Sequence, residues 1–147
     1  MDKKLVLLIE DDLNQLAIAK KVFSEDFKII AATNLSDAEK LLNTFAKKII
    51  GIVTDLHFPN GDWNKDKIPS APLGLAIVAE AVNNNIPVVV CSDIDHHHSG
   101  YVKIIIKVLK QCPGYKYLDV PVIEDNKNWE RAENYLIELI NNERTEE

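Results

Sequence analysis

The stretch Leu5-Val6-Leu7-Leu8-Ile9 is an unbroken apolar run, and Glu10-Asp11-Asp12 follows it directly. Consecutive apolar residues predict a strand that is buried on both faces, because a strand with one solvated face alternates apolar and polar side chains. Such strands are typical of parallel sheets that helices cover on both sides. This stretch therefore predicts a parallel α/β sheet with three acidic side chains at the carboxyl end of its first strand.

The rest of the chain repeats this alternation between short apolar runs and segments of helical period. Four further strands are predicted, over residues 27–32, 49–54, 86–91 and 115–120. Helices are predicted between the strands and after the last one; Ser36 and Glu39 suggest a capping box for the second helix. Residues 99–110 favour a strand by propensity, but their lysines fall on one helical face, which predicts a helix. We expect a flavodoxin-like fold, with five parallel strands in the order 2-1-3-4-5 and helices on both faces.

Composition and charge narrow the class of protein further. The chain has 147 residues, 46% of them hydrophobic, which predicts one globular domain over 1–142 and a frayed acidic tail over 143–147. A net charge of −6 argues against a general binder of nucleic acid or anionic membranes. No apolar run is long enough to span a membrane, no secretory signal opens the chain, and the two cysteines lack a metal or disulfide spacing. These features predict a cytoplasmic protein.

Acidic residues follow two strands that are neighbours in the predicted order. Glu10, Asp11 and Asp12 end the first strand, and Asp55 ends the third. Carboxylates that gather at one edge repel one another unless a cation neutralises them, and hard oxygen ligands suit Mg²⁺. The alternative is that Asp11 or Asp12 simply caps the first helix. Ser92, after the fourth strand, offers a hydroxyl donor for an anion held at Asp55, or it forms a local cap.

In this order and spacing, the chain resembles the receiver domain of two-component response regulators over nearly its whole length. Residues 7–12 (LLIEDD) resemble the acidic end of a receiver's first strand, and Asp55, with Pro59 four residues later, resembles the phosphoacceptor strand. Residues 87–92 (PVVVCS) resemble the strand that ends in the switch hydroxyl. Tyr117, three residues before Val120-Pro121, lies where receivers often carry an aromatic switch residue.

The resemblance implies a function and a set of site residues. Asp55 would accept a phosphoryl group from a histidine kinase or a phosphotransfer protein, and Ser92 and Tyr117 would act as switch residues. Mg²⁺ would be held by the side chains of Glu10, Asp11 and Asp55 and by the backbone carbonyl of His57. The chain would then be a signalling domain and not an enzyme, beyond Mg²⁺-dependent self-phosphorylation and autodephosphorylation.

One departure from the receiver pattern concerns a positive charge. Receivers normally carry a lysine just before the proline that follows the fifth strand, where this chain has Val120. Lys116 lies four residues earlier, roughly 13 Å along an extended strand, so it is a poor substitute. The sequence therefore predicts a site without this ammonium group, with slower phosphorylation or weaker switching.

Two further departures lie close to the predicted site. The loop over 60–71 is longer than usual and is either a flap that brings Lys65 and Lys67 to Asp55 or a solvated insertion. The run His96–His98 either contributes one or two ligands to a metal or begins the fourth helix as exposed residues.

We therefore expect a stand-alone receiver that signals by docking to a downstream protein, with no direct contact with nucleic acid or membrane. The apolar residues of the fourth helix are either buried or form a docking or homodimer surface. The alternative is a pseudo-receiver, an interaction module that is not phosphorylated. A metal-dependent hydrolase is a third class, against which stands the lack of a second nucleophile or a glycine-rich phosphate loop.

Overall fold

A computed structural model describes residues 2–61, 71–92, 100–112, 114–121 and 126–146. Five strands and five helices alternate along these ranges. The strands are β1 (Lys4–Ile9), β2 (Phe27–Ala32), β3 (Ile49–Thr54), β4 (Val88–Cys91) and β5 (Asp119–Val120). The helices are α1 (Leu13–Phe23), α2 (Leu35–Phe45), α3 (Gly74–Asn83), α4 (Gly100–Lys110) and α5 (Trp129–Glu146).

The strands form one parallel sheet in the order β2-β1-β3-β4-β5, which confirms the predicted flavodoxin-like topology. In the middle of the sheet Ile9 pairs with Ala32 on one side and with Thr54 on the other. Because β1 and β3 are parallel neighbours that end in register, the residues after Ile9 and Thr54 emerge side by side at the carboxyl edge. This register is what brings Glu10 next to Asp55.

Helices cover the sheet on both faces and bury two separate apolar clusters. Alternate strand residues such as Val6 and Leu8 pack with α1 and α5, while Leu7 and Ile9 pack with α2, α3 and α4. The α5 helix lies close to β3: a Cβ on Gly51 would lie 2.8 Å from a methyl carbon of Leu136. Both faces of the central strands β1 and β3 are covered by helices, as their apolar runs predicted.

The ends of several elements differ from the prediction. The strand β5 has two residues instead of six, because turns form where the sequence predicted its first half, with Leu118 N–H donating to Tyr115 O at 3.1 Å. The strand β4 begins at Val88, two residues later than predicted. The capping box was wrong: Asn34 is the N-cap of α2, and its side chain accepts a 2.8 Å hydrogen bond from Asp37 N–H.

The ambiguous segment before residue 110 is a helix, as predicted. Val102 and Ile106, one turn apart on α4, are buried against the sheet, while Ile104, Ile105 and Val108 are exposed. The α5 helix continues to Glu146, so the backbone of 143–146, where the sequence predicted a frayed tail, is helical. Among the described helices, none has both the length and the apolar character needed to cross a membrane.

The long loop and the histidine run fall largely outside the described residues, which exclude 62–70 and 93–99. The flap residues Lys65 and Lys67 and the run His96–His98 are therefore beyond the described chain. The base of the long loop is described: Phe58 and Ala71 form an antiparallel bridge through hydrogen bonds of 3.2 and 3.4 Å. The carbonyls of Pro59 and Asn60 accept hydrogen bonds from the first N–H groups of α2, which attaches the start of the loop to that helix.

Candidate functional site

Glu10, Asp11 and Asp55 converge at the carboxyl edge of the sheet. The backbone fixes two of them, since Glu10 N–H donates to Ala32 O at 3.0 Å and Asp55 N–H donates to Ile9 O at 2.8 Å. One carboxylate oxygen from each of the three residues lies within 4.8 Å of the others. Glu10 is fully buried, Asp55 is 6% exposed and Asp11 is half-buried. The three acidic residues of the predicted metal site are thus brought together.

Burial raises the pKa of both inner carboxyl groups. The pKa of Glu10 rises to about 8, first because the group is buried and second because the Asp55 charge lies beside it. Burial also raises the pKa of Asp55, against the attraction of the neighbouring Lys127 ammonium. Like charges brought this close in a poorly solvated place favour a bound cation, because it removes the repulsion without protonating a carboxylate.

Asp12 has a different role from its two predecessors. Its Oδ1 accepts hydrogen bonds from Asn14 N–H at 2.9 Å and Gln15 N–H at 3.1 Å, so it is the N-cap of α1. The capping interpretation therefore holds for Asp12, whereas Asp11 belongs to the acidic cluster. The backbone N–H of Asp12 also donates to Glu10 Oε2 at 3.3 Å, which ties the start of α1 to the buried glutamate.

Lys127 supplies a positive charge that the sequence analysis did not predict. Its Nζ contacts Glu10 Oε1 and lies 3.2 Å from Asp55 Oδ2, and its side chain is only 4% exposed. Burial by itself would lower the pKa of Lys127, but the carboxylates of Asp55 and Glu10 outweigh it and raise the pKa. The prediction of a site without an ammonium was therefore wrong: the lysine comes from the segment before α5 and not from the end of β5.

The residues around Lys127 hold it in place. Trp129 begins α5, and its Nε1–H donates to Gln15 Oε1 on α1 at 2.9 Å. The Lys127 Nζ lies 5.8 Å from the centre of the Trp129 ring, within cation–π range. Asn128 accepts a hydrogen bond from Arg131 N–H at 3.1 Å and so caps the same helix. The sequence signal for this lysine was its place directly before the amphipathic pattern of α5.

These groups line a cavity of about 260 Å³ that is open at the carboxyl edge. Its walls are formed by Glu10, Asp11, Asp12, Gln15, Asp55, His57, Ser92 and Lys127. The donor set fits Mg²⁺, since three carboxylates with hard oxygens converge while water can reach the cavity. His57 Nδ1 is buried and has no hydrogen-bond partner among the described residues. His57 is among the residues that line the cavity, and the binding of Mg²⁺ by its backbone carbonyl stays a prediction.

The two predicted switch residues lie in different surroundings. Ser92 directly follows β4, is buried, and lines the cavity that contains Asp55. Tyr117 is half-buried and packs on Tyr135 of α5, with ring centres 4.9 Å apart, and Lys116 Nζ lies 5.1 Å from the Tyr117 ring. Tyr117 is not among the described residues that line the cavity. Of the predicted site residues that the structure describes, Tyr117 alone is not among those that line the cavity.

The start of α3 lies close to the backbone of Asp55, at a glycine. Gly74, the first residue of α3, donates its N–H to Leu56 O at 2.9 Å, and a Cβ placed on it would lie 2.4 Å from the Asp55 carbonyl oxygen. The Asp55 carboxylate is fixed by a 2.7 Å hydrogen bond from Leu56 N–H to its Oδ1. The close approach of α3 thus fixes the position of the Asp55 backbone at the edge of the cavity.

Comparisons with known proteins find likeness in structure. No family model matches the chain, and neither does any curated protein. The signal receiver domain of a protein described as a Luxo repressor from Vibrio parahaemolyticus matches with a TM-score of 0.63 and 18% identity, over 98% of this chain and 95% of that one. A response regulator receiver domain protein from Clostridium thermocellum matches with a TM-score of 0.65 and 14% identity, over 98% and 99%. The chain therefore has the fold of response-regulator receiver domains.

Proposed function

We propose that this chain is a receiver that accepts a phosphoryl group on Asp55 with Mg²⁺ bound by Glu10, Asp11 and Asp55. The observation that carries the proposal is the convergence of these three carboxylates, with a buried lysine beside them, in a cavity at the carboxyl edge of a receiver fold. The donor would be a phosphohistidine of a kinase or phosphotransfer protein. The phosphorylated surface would then dock to a downstream protein.

The transfer itself is a simple displacement. A carboxylate oxygen of Asp55 forms a bond to phosphorus while the bond from phosphorus to the donor nitrogen breaks, and the electron pair of that bond stays with the donor imidazole. Bound Mg²⁺ would offset the negative charge that gathers on the phosphoryl oxygens. Lys127 lies 3.2 Å from Asp55 Oδ2, where its ammonium can bind the same oxygens. Ser92 lines the same cavity and offers a hydroxyl donor.

The experiment uses acetyl phosphate, a small phosphoryl donor, with and without Mg²⁺. We expect intact mass spectrometry to show one added phosphoryl group, dependent on Mg²⁺, and we expect Asp55→Asn to abolish it because the nucleophile is lost. Glu133→Gln is the matched control, since it removes a carboxylate of raised pKa that lies outside the cavity. Labelling of Asp55→Asn at the wild-type level would refute the assignment.

The pseudo-receiver is the second candidate, and one observation favours it. Lys127 already pairs with Glu10 and Asp55, so one ammonium offsets part of the charge of these two buried carboxylates without a metal. In that case the chain would bind a partner protein through its fold and would not be phosphorylated. Absence of any acetyl phosphate label, together with a melting temperature that millimolar Mg²⁺ leaves unchanged, would support this candidate.

A further inference from the structure

Two side chains connect the acidic cavity to the first turn of α5. Gln15 lines the cavity and its Oε1 accepts the hydrogen bond from Trp129 Nε1–H. Lys127 reaches the cavity from two residues before Trp129, and its Nζ lies over the Trp129 ring. Trp129 is 3% exposed and packs in the apolar cluster between the sheet and the helices α1 and α5. The start of α5 is thus held at the cavity by both residues.

In the structure, the positive charge next to the acidic cluster is the ammonium group of Lys127. Among the described ion pairs, Lys127 contacts Glu10 and Asp55 but not Asp11. A divalent cation held by Glu10, Asp11 and Asp55 would bind the two carboxylates that Lys127 contacts, and two cations brought so close to the same carboxylates repel each other. Metal binding therefore favours a state in which the ammonium has left Glu10.

We propose that Lys127, Gln15 and Trp129 form a readout in which a divalent cation displaces Lys127 from Glu10 and thereby changes the contact between α5 and α1. This rests on the proposed function, because it takes the acidic cluster as the Mg²⁺ site. It adds a route for the signal that does not pass through Tyr117: the occupancy of the cavity is transmitted to the first turn of α5. By linkage, the displaced lysine also weakens the binding of the metal.

The test measures Mg²⁺ binding by calorimetry and tryptophan fluorescence, with Mg²⁺ alone as the ligand. Trp63→Phe serves as the background, so that the fluorescence reports Trp129 only. We expect Mg²⁺ to change the fluorescence of this background. In Lys127→Met we expect Mg²⁺ to bind at least about five-fold more tightly, because the competing ammonium is gone, and the fluorescence change to be lost. Lys127→Arg keeps the charge and should retain both wild-type properties.

Two matched variants control for charge and for position. Lys116→Met removes a lysine that lies on the Tyr117 ring, and Asn14→Leu changes the exposed neighbour of Gln15 on α1. Both should leave the affinity and the fluorescence change as in the background. Gln15→Leu removes the acceptor for Trp129 and should reduce the fluorescence change while calorimetry still detects Mg²⁺.

The outcomes separate this readout from the proposed function. Mg²⁺ affinities of Lys127→Met and the background that agree within about two-fold would overturn the competition, and the Mg²⁺ site would stand. Binding detected by calorimetry without any fluorescence change in the background would overturn the readout, whether or not Lys127→Met folds. Failure of every folded variant to bind Mg²⁺ would overturn the readout and the metal site of the proposed function together.

Discussion

Two groups of acidic side chains in this protein differ in what surrounds them. The site cluster is Glu10, Asp11 and Asp55 at the carboxyl edge of the sheet, with Lys127 beside it. The turn cluster is Glu133 of α5 with Glu25, Asp26 and Glu130. Glu25 and Asp26 lie in the turn between α1 and β2. Burial is the first cause of a raised pKa in both, to about 8 for Glu10 and about 7 for Glu133, and a neighbouring aspartate is the second.

The difference between the clusters is the cation and the cavity. The positive charge of Lys127 offsets part of the rise in the pKa of Glu10, and Glu10 lines a cavity of about 260 Å³. The carboxyl of Glu133 is influenced chiefly by burial and by other acids, and its Oε2 is buried without a hydrogen-bond partner among the described residues. A raised pKa alone therefore does not mark a functional site, and the cavity and the counter-charge are what distinguish the site cluster from the turn cluster.

The largest effect is expected from Lys127→Met. It leaves two buried carboxylates without their cation, and we expect the free energy of unfolding to fall by about 3 kcal/mol. Urea denaturation at about pH 7.5, where the carboxylates of an unfolded chain are ionised, measures this change in the free energy of unfolding. Lys116→Met removes an exposed lysine and should change stability by less than about 0.5 kcal/mol. Equal stability of the two variants would mean that the buried ion pair contributes nothing.

A smaller effect is expected from Gly74→Ala. The added Cβ would lie 2.4 Å from the Asp55 carbonyl oxygen, so the backbone of Asp55 has to shift, at a cost of about 2 kcal/mol. We expect acetyl phosphate labelling to fall strongly as Asp55 leaves its place in the site cluster. Gly51→Ala is the control, because the three atoms nearest to its Cβ all belong to the Leu136 side chain and none belongs to Asp55. Wild-type labelling of Gly74→Ala would show that phosphorylation does not depend on the exact position of the Asp55 backbone.

The smallest effect is expected in the turn cluster, from Glu133→Gln. Because the fold raises the pKa of this acid from 4.5 to about 7, the folded state holds a proton that the unfolded state has lost, and stability falls as pH rises through this window. The variant should be more stable than wild type above pH 7, by less than about 1 kcal/mol because the group is partly solvated, and the two should converge near pH 4.5.

Urea midpoints at a series of pH values test this prediction. Glu138→Gln makes the same substitution at an exposed position of α5 and controls for the replacement of a glutamate by glutamine on this helix. A constant difference between Glu133→Gln and wild type across the series would show that Glu133 does not carry the pH dependence.

The sequence predicted the central strands and their helices well, but it predicted the last strand and one helix start poorly. The bounds of β2 and β3 agree with their short apolar runs, and α1 agrees with the helical spacing of its apolar residues. The strand β5 was predicted too long, because Tyr115 and Tyr117 have high strand propensity but lie in turns. The N-cap of α2 was misplaced from Asn34 to Ser36, since both residues are good caps and only the backbone chooses between them.

The candidate site was predictable where it depends on the register of adjacent strands. Glu10 and Asp55 each follow a buried run directly, so a parallel order with β1 next to β3 was enough to place them together. Lys127 was not predictable in this way, because it lies six residues after Pro121 and no periodic pattern fixes where that segment passes. Its position depends on where α5 packs against α1, which the hydrogen bond from Trp129 to Gln15 records.

The order of apolar and polar residues was sufficient for the parallel sheet and for acidic side chains at its edge, because periodicity and strand ends are local properties of the chain. The charge balance of the cavity came from the folded protein alone: one ammonium from a distant segment contacts two buried carboxylates. Coulombic contacts across the fold depend on distances in space, and sequence separation does not encode those distances.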